Sequence, residues 1–257
     1  MLIFLLYLLG FFAHALYLKK TVYGDGIFYY TWLRSLAVDH NINFNNEYEY
    51  FHINQPTTAT GLLANKYPIG PALFWAAPFL LTHATLHGTG YELPYQLHIG
   101  ATSVFFTLFG LVLLYRLLTK FFKATPALLT ILAVAFATNL FFYGSMDSVN
   151  SHGLSFFAAT LFLSLLLSSP RRRGSSFFSI MDSRLPFGKT QGKHGNDSTT
   201  ENRVNWLAIG LSLGLLGLIR TQDLLYGILL SPSAVHRKFF LLLIGLFIGF
   251  LPQIISW

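Results

Sequence analysis

Four residues, far apart in the chain, have side chains suited to group-transfer chemistry. Asp25 lies between Gly24 and Gly26 and is followed by the pair Tyr29-Tyr30. A carboxylate beside an apolar boundary, when partly desolvated, can act as general base toward a hydroxyl. Plain solvation in a polar loop is the competing reading. Arg220 closes the apolar run 207–219 and precedes Thr221, Gln222 and Asp223. Ionisable groups so placed face a polar cavity or a partner, and a guanidinium fork matches phosphate oxygens. An internal Arg220–Asp223 pair, or an arginine reaching for lipid headgroups, accounts for it equally well. Lys66 opens Lys66-Tyr67-Pro68-Ile69-Gly70-Pro71 and can contact a phosphate or anchor the chain at an interface. His152 ends Asp147-Ser148-Val149-Asn150-Ser151-His152, where it can bind a sugar or position a metal, or serve as a surface residue at a helix start. The aromatics Tyr23, Phe28, Tyr29, Tyr30 and Trp32 can stack on a sugar ring or belong to an interfacial aromatic belt.

The elements that must position these groups are hydrophobic helices. The chain has 257 residues, 53% hydrophobic and 11% charged, against about 25% charged in soluble domains. An all-α, polytopic transmembrane bundle is therefore expected, as a single domain over 1–257. A span needs roughly 20 apolar residues, and candidates lie at 2–18, 67–86, 98–118, 127–143, 153–167, 204–219, 224–230 and 239–257. No positive charge precedes the first of these, whereas Lys19 and Lys20 follow it, so it reads as an uncleaved helix rather than a signal peptide.

Basic residues set the orientation. Arg116, Lys120 and Lys123, then Arg171, Arg172, Arg173, Arg184, Lys189, Lys193 and Arg203, then Arg237 and Lys238, make up twelve of the 17 Lys and Arg residues. Loops rich in Lys and Arg stay cytoplasmic. If 67–86 crosses fully, the first helix must run the other way, with Lys19, Lys20 and the Asp25 loop cytoplasmic; Pro68, Pro71 and Pro78 disfavour a straight spanning helix, so the segment is read as not crossing. The expectation is about seven spans, a long outer segment 19–97 with re-entrant or juxtamembrane helices, and a flexible cytoplasmic loop 168–203, rich in Ser, Gly and basic residues. Asp25, Arg34, Asp39, Glu47, Lys66, His152, Arg220 and Asp223 then converge on the outer face. The net charge of +7 follows from membrane orientation, and no nucleic-acid partner is expected. With no cysteine there is no disulfide or thiolate metal site, and no P-loop, GxGxxG or HExxH motif occurs.

The order of several motifs resembles the GT-C class of integral-membrane glycosyltransferases, in particular bacterial members similar to the protein O-mannosyltransferases and aminoarabinose transferases. Those motifs are Gly24-Asp25-Gly26 with Tyr29-Tyr30, Arg34-Ser35-Leu36, Asn46-Glu47-Tyr48, the Lys66–Pro71 run, Ser151-His152-Gly153-Leu154-Ser155-Phe156-Phe157, and Gly217-Leu218-Ile219-Arg220-Thr221-Gln222-Asp223. The resemblance implies transfer of a sugar, with inversion, from a polyprenyl-phosphate-linked donor to a hydroxyl acceptor on a glycan, lipid or protein. It implies a multi-pass protein of the cell membrane, the bacterial inner membrane, with its active face periplasmic or extracellular. Asp25 is then the catalytic base, and Tyr29, Tyr30, Arg34, Glu47, Lys66, Tyr67, His152 and Arg220 bind substrate, Arg220 with Lys66 or Arg34 facing the lipid phosphate. A divalent metal is compatible with that chemistry and not required by it. Many members carry a second acid where this chain has Gly26; Glu47 is the candidate to replace it. Members are also usually longer, so a truncated, inactive core is one alternative, and a non-enzymatic transporter or lipid-binding membrane protein is another.

Overall fold

The computed structural model of the chain describes residues 1–168, 205–230 and 239–256. Their regular elements are helices, apart from one isolated bridge between Thr57 and Leu63. The flexible loop expected at 168–203 falls, but for Ser168, outside the described residues, as do Arg237 and Lys238.

Helix α1 (Leu2–Leu18) buries Tyr7, Phe11 and Ala15, spaced four apart on one stripe, and leaves Leu2, Leu5, Leu9, Phe12 and Leu16 exposed. That stripe meets Val104, Leu108 and Leu111 of α5 (Leu93–Leu118) and Ile131 and Ala135 of α6 (Ala124–Phe136). Two hydrogen bonds reinforce it: the Tyr7 hydroxyl donates to the Ala135 carbonyl at 2.9 Å, and Ser145 donates to the Tyr7 carbonyl at 2.6 Å. A larger core joins α2 (Gly26–Arg34), α3 (Asn45–Tyr50), α4 (Gly70–Leu86), α5, α7 (His152–Ser168) and α8 (Trp206–Ile219) around Tyr30, Trp75, Phe79, Tyr95, Leu154, Phe162 and Leu216. The last helix, α9 (Phe239–Ser256), lies against α8 through glycines four residues apart on each, Gly210 and Gly214 facing Gly245 and Gly249. A Cβ on Gly210 would collide with the Leu242 carbonyl oxygen; small residues let two helix backbones approach this closely.

The boundaries depart from expectation where side chains compete with the backbone. The segment 127–143 is not one helix: α6 ends at Phe136, the Thr138 hydroxyl donates to the Val134 carbonyl at 2.7 Å, and it accepts from the Leu140 N–H at 3.1 Å. Such local bonds offer the chain an alternative to the helical ladder. It resumes as a π-turn at Phe142–Met146. Helix α4 starts at Gly70, with Pro71 in its first turn, where a missing N–H costs nothing. The expected 224–230 run is no spanning helix: 224–229 belong to a 3₁₀ segment, Thr221–Leu229, that Leu230 ends in extended backbone. Among the described residues only α5, with 26 residues, and α9, with 18, are long and apolar enough to cross a membrane, so the count of about seven spans is not met. Helices α1, α6, α7 and α8 are apolar but shorter; the 14 residues of α8 reach about 21 Å, against roughly 30 Å of hydrocarbon.

Gln96 on α5 fixes the segment that leads into Gly24-Asp25. Its side-chain oxygen accepts from the Thr21 and Val22 N–H groups at 3.0 and 3.1 Å, and its amide donates to the Tyr91 carbonyl at 2.7 Å. Gln96→Leu leaves those two buried donors unpaired, at about 1–3 kcal/mol each. Thermal unfolding of the purified protein is expected to shift down accordingly, and an unchanged transition refutes this role for Gln96.

Candidate functional site

Two close approaches of glycine to a carbonyl shape the site. A Cβ on Gly26 would collide with the Val149 carbonyl oxygen, and one on Gly70 would collide with the Leu218 carbonyl oxygen. The first presses the start of α2 onto the 147–151 loop. The second presses the start of α4 onto the end of α8. Between them lies a cavity of about 230 Å³ lined by Asp25, Tyr29, Lys66, Tyr67, Pro68, Asn150, Ser151, His152, Arg220 and Gln222.

Asp25 stands at the N-cap position of α2, preceded by Gly24 at φ 54°, a backbone conformation that glycine adopts without strain. Its carboxylate does not cap its own helix; Oδ1 accepts from the Tyr67 hydroxyl at 2.7 Å. Asp25 is exposed to solvent rather than partly desolvated. Tyr67 is held in turn: its ring stacks on Phe28 at 4.9 Å, its N–H donates to Asn65 at 3.0 Å, and its carbonyl accepts from the Trp32 indole at 2.9 Å. Burial raises its phenol's pKa, and the hydrogen bond to Asp25 raises it further. Tyr29, buried on the next turn of α2, donates to Ser151 at 2.9 Å. Burial pushes that phenol up, against the opposing effects of the Ser151 bond and the Arg220 charge. Lys66 is exposed at the rim, its ammonium 5.3 Å from the Tyr67 ring centre.

The opposite wall is built by α7 and the chain leaving α8. Asn150 accepts from the His152 N–H at 2.8 Å and so starts α7. The His152 ring stacks on Tyr143 at 4.2 Å, and its Nδ1 receives a hydrogen bond from Arg220 Nη1 at 3.0 Å. Because a guanidinium only donates, that imidazole nitrogen carries a lone pair. Arg220 and Asp223 do not pair; one turn along α7 from His152, Ser155 donates its hydroxyl to Asp223.

Tyr30, Arg34 and Glu47 do not line this cavity. Tyr30 is fully buried, with its hydroxyl on the Gly90 carbonyl. The Arg34 guanidinium lies 4.2 Å from the Tyr91 ring centre and donates to the Thr89 carbonyl at 2.9 Å, to Asp39 at 2.6 Å and to Glu47 at 2.7 Å. Glu47 is fully buried; burial raises its carboxyl pKa and the Arg34 partnership opposes that. These three residues brace α2 against α3 and the 89–92 turn. Asp147 lies outside the cavity lining as well; burial chiefly raises its carboxyl pKa, with Asn150 and Tyr23 opposing and the Asp25 charge adding a smaller increase. Among the described residues no group of three or more His, Asp or Glu side chains is arranged to hold a metal ion.

His152 also lines an open groove of about 510 Å³ with Val134, Ala137, Thr138, Asn139, Leu140, Tyr143 and Phe156. The groove exists because α6 breaks off before the π-turn. Ser151 and Gln222 also line the cavity; Ser151 directly precedes His152 and Gln222 lies two residues after Arg220, so polar residues within two positions of a titratable group at a helix end were the available signal. No family model, no curated protein and no solved structure matches this chain.

Two outcomes test this assignment. Glu47→Ala leaves the buried Arg34 with one carboxylate fewer, and breaking a buried pair costs roughly 3–5 kcal/mol. Denaturant unfolding is expected to register a loss of that order, while Arg34→Met with Glu47→Leu recovers much of it; a neutral Glu47→Ala contradicts the bracing role. Gly26→Ala forces the α2 start off Val149, an overpacking of about 1–3 kcal/mol, and is expected to weaken whatever activity Asp25 supports. Wild-type stability and activity in Gly26→Ala count against the close approach as a determinant of the site.

Proposed function

We propose that the chain is a membrane-embedded GT-C-like glycosyltransferase that moves a sugar from a polyprenyl-phosphate donor to a hydroxyl acceptor at the outer membrane face. The observation that carries the reading is the pair of adjoining spaces. A polar cavity holding one carboxylate, Asp25, and two cationic side chains, Lys66 and Arg220, shares His152 with a groove lined partly by Val134, Ala137, Leu140 and Phe156. An anionic headgroup suits the first space and an isoprenoid chain the second. The exposed apolar faces of α1 and α9, with Leu16 71% and Phe240 73% exposed, are suited to lipid and support the multi-pass reading.

In this reaction Asp25 accepts the proton of the acceptor hydroxyl. The acceptor oxygen attacks the anomeric carbon from the side opposite the phosphate, and the carbon–oxygen bond to the lipid phosphate breaks. Arg220 and Lys66 stabilise the charge that develops on the departing phosphate. Tyr67 orients the carboxylate by donating to Oδ1, which leaves Oδ2 for the proton. Tyr29 and Ser151 line the space between base and phosphate. Arg34, whose donors already serve Asp39, Glu47 and Thr89, is not assigned to the phosphate.

Asp25→Asn is expected to lower transfer from a short-chain polyprenyl-phosphate sugar by about 10²–10⁴-fold with donor binding retained. Arg220→Met is expected to lower it by roughly 10²–10³-fold. Measured transfer to a hydroxyl acceptor in reconstituted vesicles checks both, and undiminished turnover by Asp25→Asn removes Asp25 from the mechanism.

A further inference from the structure

A guanidinium carries five N–H donors and no acceptor, so what surrounds Arg220 decides how it receives an anion. One Nη1 donor goes to His152 Nδ1 at 3.0 Å. The side edge is held by Gln222: its amide oxygen accepts from Arg220 Nε at 3.1 Å and Nη2 at 2.8 Å, the amide orientation that satisfies both groups. Two donors remain, one on each terminal nitrogen, on a side chain that lines the cavity.

The local backbone makes this arrangement. Arg220 is extended, at φ −145° and ψ 115°, between the end of α8 and the 3₁₀ segment. Gln222, two residues on, thereby comes level with its guanidinium. The acid beside it, Asp223, accepts from the Ser155 hydroxyl on α7 rather than forming an ion pair with the arginine. A carboxylate on the same edge would form a bidentate ion pair and cancel the charge; a neutral amide fixes the fork and keeps the charge.

We propose that Gln222 is the positioning residue for the anion-binding arginine: its amide holds the Nε/Nη2 edge of Arg220 so that the positive charge and the two remaining donors meet the phosphate of the lipid donor. This rests on the reading of the cavity as a lipid-phosphate site. Neutrality at position 222 is then a requirement for phosphate selectivity, and the residue acts through Arg220 without performing chemistry itself.

The test compares farnesyl phosphate with farnesol, which share an apolar chain and differ in the anion, as ligands for the purified full chain in detergent. The wild-type protein is expected to prefer farnesyl phosphate. Gln222→Glu is expected to weaken farnesyl phosphate binding by roughly 10- to 100-fold, the range for losing charge-assisted hydrogen bonds, while farnesol binding holds. Gln222→Met, neutral but without an acceptor, is expected to fall between the two. Full phosphate preference in Gln222→Glu overturns the role of Gln222 and leaves the reading of the cavity standing. Parallel loss of farnesol binding marks a structural role and also overturns it. A wild-type protein with no preference for the phosphate overturns the cavity reading and this inference with it.

Discussion

The site depends on backbone lying against backbone at Gly26 and Gly70. Each glycine touches a carbonyl oxygen, of Val149 and Leu218 respectively, where a single added carbon would collide. Segments separated by more than a hundred residues are thereby held so close that Tyr29 reaches Ser151 and the Gln253 amide oxygen accepts from the Ile69 N–H at 3.0 Å. Cavity size follows from these approaches: with larger residues at positions 26 and 70 the walls would stand apart, and Asp25 and Arg220 would no longer line one space. Position 26 has no room for the second acid that members of the resembling class often carry there.

The chain uses two arginines in opposite ways. Arg34 is almost fully buried, and its guanidinium meets two carboxylates, a carbonyl and an aromatic face. Desolvating such a charge is costly, and its partners answer that cost within the fold. Arg220 is half-buried beside two neutral acceptors, His152 and Gln222, and keeps its charge toward the cavity. A saturated cation is a brace; an unsaturated one at the wall of a cavity is available to a ligand.

That distinction marks what could be read in the residue string. The all-helical architecture was legible from composition and apolar runs, and α1, α5 and α9 lie close to where those runs put them. The break in α6 was not, because Thr138 diverts backbone hydrogen bonds that hydropathy does not register. Asp25, Lys66, His152 and Arg220 stood out as charged or titratable groups at the edges of apolar segments, and the fold brings them to one cavity. Arg34 and Glu47 stood out for the same reason yet serve each other. Residue type shows that a charge needs a partner, and only tertiary contact shows whether the protein already supplies it.

Exposure of Asp25 adds a constraint on the proposed reaction. A carboxylate in contact with water is a weak base toward a hydroxyl, and it becomes more effective once ordered contacts replace water around it. The fold supplies one such contact, from Tyr67; the rest must come from the bound donor and acceptor. An isoprenoid chain in the groove beside His152 offers binding energy remote from the reacting carbon, and such energy can be used to exclude water and hold the sugar against Asp25. Under the proposed reaction the groove and the exposed carboxylate are two parts of one arrangement, in which a substrate lacking the lipid chain would lose rate as well as affinity.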